Sequence, residues 1–158
     1  MSTSLLYHGF GLVGYEYVRT QYAGGAVIFS VKRQRGKFRC SFCRSRNIIF
    51  RGTISRRFRI VPIGSKRVFL DYEVQWLECR RCGKIRQEKL GFADPRFSYG
   101  HAFERYALDL SKHMTIQDVA RHLGISWDVV KEIQKRDLTR RFSHVSLKHV
   151  RRIAIDEI

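Results

Sequence analysis

A chain of 158 residues with 44% hydrophobic content can bury one ordinary core or two small ones, which excludes a disordered tail. Lys and Arg number 31 against 14 acidic residues, a formal net charge of +17, so the partner to look for is a polyanion, nucleic acid first. No apolar stretch approaches the ~20 residues that span a bilayer, there is no signal-peptide pattern, and the positive charge is not gathered on one amphipathic helix; a cytoplasmic protein with no membrane partner is expected.

Residues 12–32 read as a hairpin. Tyr15-Glu16-Tyr17-Val18 and Val27-Ile28-Phe29-Ser30-Val31 are β-rich runs on either side of a turn at Ala23-Gly24-Gly25-Ala26. Residues 31–60 then hold eleven Lys and Arg and no Asp or Glu. Arg56 and Arg57 within this run are candidate DNA contacts, and the first of two Cys-x-x-Cys pairs, Cys40 and Cys43, is embedded in it. After a mixed apolar and basic run over 54–61, Pro62-Ile63-Gly64-Ser65 is expected to turn. Val68, Leu70, Tyr72, Val74 and Trp76 then alternate with Phe69, Asp71, Glu73, Gln75 and Leu77, the period of a strand with one apolar face, leading into the second pair, Cys79 and Cys82. The aromatic residues of this region could stack on bases, but core packing is the commoner fate of alternating aromatics.

The four cysteines, Cys40, Cys43, Cys79 and Cys82, have the pattern of a structural zinc site. Two residues between thiolates let one tight turn aim both sulfurs at an ion, and two such turns complete a tetrahedron with no open position for catalysis. The second pair reads Cys79-Arg80-Arg81-Cys82-Gly83, with glycine where such a turn often needs positive φ; the first has Arg44 there and fits less well. Two disulfides would need an oxidising compartment, and a redox dithiol would be expected near a βαβ pattern. The 35 residues between Cys43 and Cys79 exceed the usual spacing, and an inserted hairpin can take up the excess.

The period changes after Pro95. Phe103, Tyr106, Ala107, Leu110 and Met114 recur at helical spacing. Thr115 is placed as an N-cap with Asp118 as an imperfect capping box, Val119, Ala120 and Leu123 form the inward face of a short helix, and Gly124 ends it. Ser126 caps the next helix, whose buried side is expected to be Val129, Val130 and Ile133, reaching Leu138. Two short helices joined by a glycine turn, with small Ala120 at the crossing, are the pattern of a helix-turn-helix. The outward positions of its second helix are Ser126, Trp127, Asp128, Lys131, Gln134 and Lys135, the candidate DNA-reading residues; Lys131 and Lys135 suit phosphate or guanine and Gln134 suits adenine. An ordinary helical hairpin with a polar solvent face is the competing reading. The six histidines form no ligand-spaced cluster.

The fold class expected from these elements is α+β: an N-terminal antiparallel β zinc-ribbon-like domain over residues 1–95, with its hairpin, followed by a small helical helix-turn-helix domain over 96–148.

The cysteine-pair module, the run Met114-Thr115-Ile116-Gln117-Asp118-Val119-Ala120-Arg121-His122-Leu123-Gly124-Ile125-Ser126-Trp127 and the ending Arg152-Ile153-Ala154-Ile155-Asp156-Glu157-Ile158 resemble the ISL-three family of bacterial insertion-sequence transposases. The opening Ser4-Leu5-Leu6-Tyr7-His8-Gly9-Phe10-Gly11 also looks like that family's start. The resemblance implies an N-terminal zinc-binding domain, a helix-turn-helix and then a ribonuclease-H-like domain. Residues 149–158 would be the first strand of that domain, and Asp156 its first catalytic carboxylate. On that basis the chain is expected to stop at the start of the catalytic domain, with magnesium or manganese relevant only to an intact parent enzyme. The expected function is recognition of double-stranded DNA at transposon terminal inverted repeats, with a homodimer on DNA as one arrangement. The alternative is a stand-alone DNA-binding regulator without catalytic activity. An RNA-binding zinc ribbon leaves the helix-turn-helix unexplained.

Overall fold

The computed structural model of the chain describes residues 5–143 and Arg152. Asp156 and the strand expected at 149–158 lie outside the described residues. The chain divides into two compact units, Met1–Tyr106 and Ala107–Ile158.

The first unit is built on one sheet. A short helix α1 (Leu5–Phe10) precedes β1 (Tyr15–Ala23) and β2 (Ala26–Arg33); a 3-10 turn and the first cysteine loop lead to β3 (Ile48–Ile63), β4 (Lys66–Cys79) and the short β5 (Ile85–Gln87). The order is β1-β2-β4-β3, with β5 also paired to β4. The hairpin predicted over 12–32 is present, with Ala23 facing Ala26 across Gly24-Gly25. Three of the four pairings are antiparallel, as expected; β2 and β4 run parallel, with Val27 beside Val68 and Val31 beside Tyr72. A parallel neighbour needs a long connection, and the first cysteine loop with β3 supplies it.

β3 runs further than the sequence suggests. The turn predicted at 62–65 shrinks to Gly64-Ser65, with Ile63 facing Lys66, and Pro62 is absorbed where the pairing shifts between Ile60 and Ile63. Proline cannot donate to a ladder and is tolerated where pairing is interrupted.

The alternation of β4 sets the core. Val68, Leu70, Tyr72 and Val74 are buried, and Leu6, Phe10, Leu12, Val27, Val31, Phe58 and Phe92 complete the layer. Phe92 meets the rings of Tyr15 and Phe58 edge-on, both at 5.1 Å between centroids. Trp76, expected on this apolar face, is 39% exposed. The pairing shifts between Phe50 and Gly52, opposite Leu77 and Trp76, and beyond it Leu77 and Cys79 are the buried residues. A bulge re-aims side chains in this way.

One carboxylate ties three segments of this unit together. Glu88, 2% exposed, accepts from the Tyr72 hydroxyl (2.7 Å), the Gln75 backbone N–H (3.0 Å) and Arg33 Nη1 (3.2 Å). Burial pushes its carboxyl above the ordinary carboxylate range, against the pull of these three donors. Burial likewise pushes the Tyr72 hydroxyl above its usual value, so it stays a donor.

α2 (His101–Leu110) crosses the boundary between the units, and the second unit continues with α3 (Ile116–Leu123) and α4 (Trp127–Phe142). Thr115 caps α3 as predicted, its hydroxyl oxygen accepting from Asp118 N–H at 3.2 Å. Gly124 ends it at φ 62°, ψ 46°, with its N–H turned back to the carbonyls of Ala120 and Arg121. Val119, Ala120 and Leu123 are buried, and so are Val130 and Ile133 of α4. Two expectations for α4 are corrected. The helix runs past Leu138 to Phe142, and its next buried position after Ile133 is Asp137, whose carboxylate pairs with Arg140 and Arg141 of the following turn. Val129 is half-buried.

Removing the Tyr72 hydroxyl leaves a buried carboxylate short of one donor. Tyr72→Phe is expected to lower unfolding free energy by about 1–3 kcal/mol in urea denaturation; an unchanged midpoint would mean Gln75 and Arg33 satisfy Glu88 without it.

Candidate metal centre and nucleic-acid interface

The two cysteine loops are near copies of each other. Cys40 N–H donates to the Ser45 carbonyl (2.9 Å) and Cys79 N–H to the Lys84 carbonyl (3.0 Å). Arg44 N–H returns to Cys40 O (3.1 Å) and Gly83 N–H to Cys79 O (2.8 Å). Arg44 and Gly83 both stand in the left-handed region, at φ 63° and φ 67°. The misfit anticipated at Arg44 is thus resolved by arginine adopting the conformation glycine takes in the other loop, at a cost of roughly 1–2 kcal/mol.

These turns bring together residues far apart in sequence. All four sulfurs lie within 4.8 Å of one another, with Cys43 and Cys79 at 3.5 Å and Cys40 and Cys82 at 3.7 Å. A tetrahedral ion with bonds of ~2.3 Å to sulfur has ligand edges of about 3.8 Å, so the cluster has the size such an ion needs. The cysteines are free, not disulfide-bonded.

The electrostatics of the cluster are uneven. Burial pushes Cys79 up, but the N–H groups of Cys82 and Arg81 outweigh it and hold the thiol at about 6. At Cys43 the Ser45 N–H works downward, and burial with the neighbouring sulfurs wins, pushing it up to about 11. Four thiolates at this spacing repel one another, and a divalent cation is what lets all of them ionise.

Two of the predicted basic contacts are engaged within the first unit. Arg56 donates to the carbonyls of Pro95 and Phe97 and lies over the Phe58 ring at 4.8 Å. Arg57 makes a two-pronged pair with Asp71 at 2.7 and 2.9 Å, which raises its pKa further. Other cations on the cysteine loops have no carboxylate partner among the described residues: Arg44, Arg46, Arg80, Arg81, Lys84 and Arg86. Lys84 Nζ sits 3.4 Å from the centroid of Phe42, which is 57% exposed in the first loop, and Arg86 lies over the same ring. The sequence signal for this tip was the density of Lys and Arg around the cysteine pairs; the pairing of Phe42 with residues beyond the second loop was not readable from spacing.

In the second unit the helix pair presents α4 outward. Ser126 stands at its N-cap with no side-chain hydrogen bond to the helix, and Trp127, Asp128, Lys131 and Lys135 are exposed, with Gln134 half-buried. Lys131 Nζ lies 5.0 Å from the Trp127 ring centroid, so the two share one exposed stripe. Asp128, Lys131 and Lys135 therefore lie on the side of α4 away from the buried Val130 and Ile133, with Trp127 and the half-buried Gln134 toward its margin. No helix among the described residues is long and apolar enough to cross a membrane.

Comparison with known proteins adds a family to this geometry. Residues 88–138 match the helix-turn-helix domain of transposase family ISL3, a span that takes in Glu88, α2, α3 and most of α4. The chain is also 27% identical over 118 residues to the transposase for insertion sequence element IS1001 of Bordetella parapertussis. That alignment covers 75% of this chain and 29% of the relative's length. No solved structure matches. Residues 88–138 of this chain are therefore similar to the helix-turn-helix domain of transposase family ISL3, and the chain spans less than a third of the length of the transposase it matches.

Proposed function

We propose that this chain is the DNA-recognition part of a transposase and binds the terminal inverted repeats of its element, with α4 as the reading helix. The observation that carries the reading is the exposed stripe of Trp127, Lys131 and Lys135, bordered by the half-buried Gln134, on a helix fixed from behind by Val130 and Ile133 and set off from α3 by the left-handed Gly124. In a helix-turn-helix the second helix lies in the major groove with its N-terminal residues at base edges. Gln134 then suits adenine, Lys131 and Lys135 suit guanine or phosphate, and the Trp127 ring limits how Lys131 can move. Two copies on the DNA would read an inverted arrangement of half-sites.

The same reading assigns Cys40, Cys43, Cys79 and Cys82 to one structural zinc ion, supported by four sulfurs within 4.8 Å on two matching loops. Such an ion supplies folding energy and leaves no position open for a substrate. The residues around it hold the loops in place through the paired backbone hydrogen bonds of Cys40 with Ser45 and Cys79 with Lys84. Arg56 and Arg57, with their internal partners, steady the sheet; as DNA contacts they would have to leave those partners.

Elemental analysis of the reduced protein is expected to find one zinc per chain, and Cys79→Ser to lose it together with the cooperative unfolding transition. A protein that keeps that transition after Cys79→Ser and strong chelation would remove the metal from the account. For DNA, Lys131→Ala and Gln134→Ala are expected to cut discrimination between the element's ends and a random duplex by ~1–3 kcal/mol each in competition binding. Equal losses on every sequence would show that α4 does not read bases.

A further inference from the structure

Beside the first cysteine loop is a notch of about 220 Å³ whose lining includes Arg33, Arg39, Ser41, Arg44 and Lys89 and no carboxylate. Gathering four cations around one hollow is unfavourable unless something compensates, and the compensation within the protein is incomplete. Arg33 is paired with Glu88, yet its Nε–H is buried with no acceptor among the described residues. Arg39 donates to the carbonyls of Gly36 and Phe38 from Nη1 alone, which leaves its Nη2 for a ligand in the hollow. The side chains of Arg44 and Lys89 have no hydrogen-bond or ion-pair partner among the described residues, and both residues are exposed.

Arg44 carries the second observation. It holds the left-handed conformation that Gly83 holds in the matching loop, so a side chain stands where glycine would be conformationally cheaper. What arginine adds over glycine at that position is a cation at the mouth of the notch. An arginine kept in a strained conformation beside three other cations, Lys89 among them with no carboxylate partner among the described residues, is a reason to look for an anionic ligand.

We propose that this notch is a second DNA contact, in which Arg39, Arg44 and Lys89 seat a backbone phosphate of duplex DNA independently of base sequence. The inference rests on the reading of the chain as a DNA-binding protein, and it adds a phosphate anchor on the sheet unit to the base-reading helix. Phosphate contacts of this kind position a protein on the duplex and dominate the salt dependence of binding, without carrying sequence information. The hydroxyl of Ser41 and the buried Arg33 N–H offer further donors around the same hollow.

The test uses the full chain with its zinc, a random-sequence duplex, and fluorescence anisotropy across a range of salt concentrations. Arg44→Gly and Lys89→Gln are each expected to weaken binding and to reduce the slope of log affinity on log salt by ~0.9, with both losses in the double variant. Arg44→Gly relieves the left-handed strain, so it is expected to keep its zinc and its thermal midpoint; this separates a lost phosphate contact from a lost fold. The same variants are expected to leave discrimination between the element's ends and random duplex unchanged, which Lys131→Ala does not. Unaltered slopes in both single variants would overturn the notch while leaving the reading helix standing. Loss of zinc from Arg44→Gly would also overturn it and assign Arg44 to holding the metal loop. A wild-type chain with no affinity for any duplex would overturn the functional reading itself.

Discussion

Four sulfurs drawn to within 4.8 Å of one another are the constraint on which the sheet unit depends. Like-charged thiolates do not gather without a cation, and free thiols gain little by doing so. Closing the two loops on each other fixes the ends of a long hairpin: Ile48 leaves the first loop directly opposite Cys79, which begins the second. From that closure the β3–β4 ladder runs outward for most of its length. The alternation of β4 then decides which side faces the core, and the buried Glu88 fastens the segment after β5 to β4 and β2. The same segment supplies Phe92 to the centre of the aromatic packing. Cysteine cluster, carboxylate and core thus act on one strand.

The distribution of charge shows how one basic chain can both fold and bind. Part of the positive charge is used internally: Arg33 on Glu88, Arg51 on Glu78, Arg57 on Asp71, and Arg56 on two carbonyls. The more exposed of these pairs, Arg51 with Glu78 and Arg57 with Asp71, contribute little to stability, but all of these contacts remove the arginines from the pool available to a polyanion. Among the described residues, the cations without a carboxylate partner include those of the cysteine loops and Lys131 and Lys135 of α4.

Much of this was legible in the sequence where a local rule governs. The period-two run of β4, the Gly24-Gly25 hairpin, the Thr115 cap and the Gly124 stop all follow from backbone preferences that act over a few residues, and each is found where those preferences put it. What escaped depends on contacts between distant segments. The parallel pairing of β2 with β4 cannot be read from either strand alone. Trp76 is turned outward by a shift in its partner strand, at Phe50 and Gly52. Arg56 and Arg57 looked like free charge because their partners, Pro95, Phe97 and Asp71, come from elsewhere in the chain. Asp137 occupies a buried helical position that periodicity gives to an apolar residue, since Arg140 and Arg141 neutralise it one turn later. The cysteine spacing announced a cluster, but not that Arg44 would take glycine's conformation to complete it.

The central claim is that the exposed stripe of α4 reads the bases of a transposon end. Its most direct measurement places a photo-crosslinking side chain at position 134 of the zinc-loaded chain, bound to a duplex carrying the element's terminal repeat. Mapping the crosslinked nucleotides gives the answer at single-base resolution. The account predicts adducts on bases, from the major-groove side, confined to a few adjacent positions within the repeat. Adducts scattered along the backbone without preference for the repeat, or none at all in a chain that still binds, would contradict it.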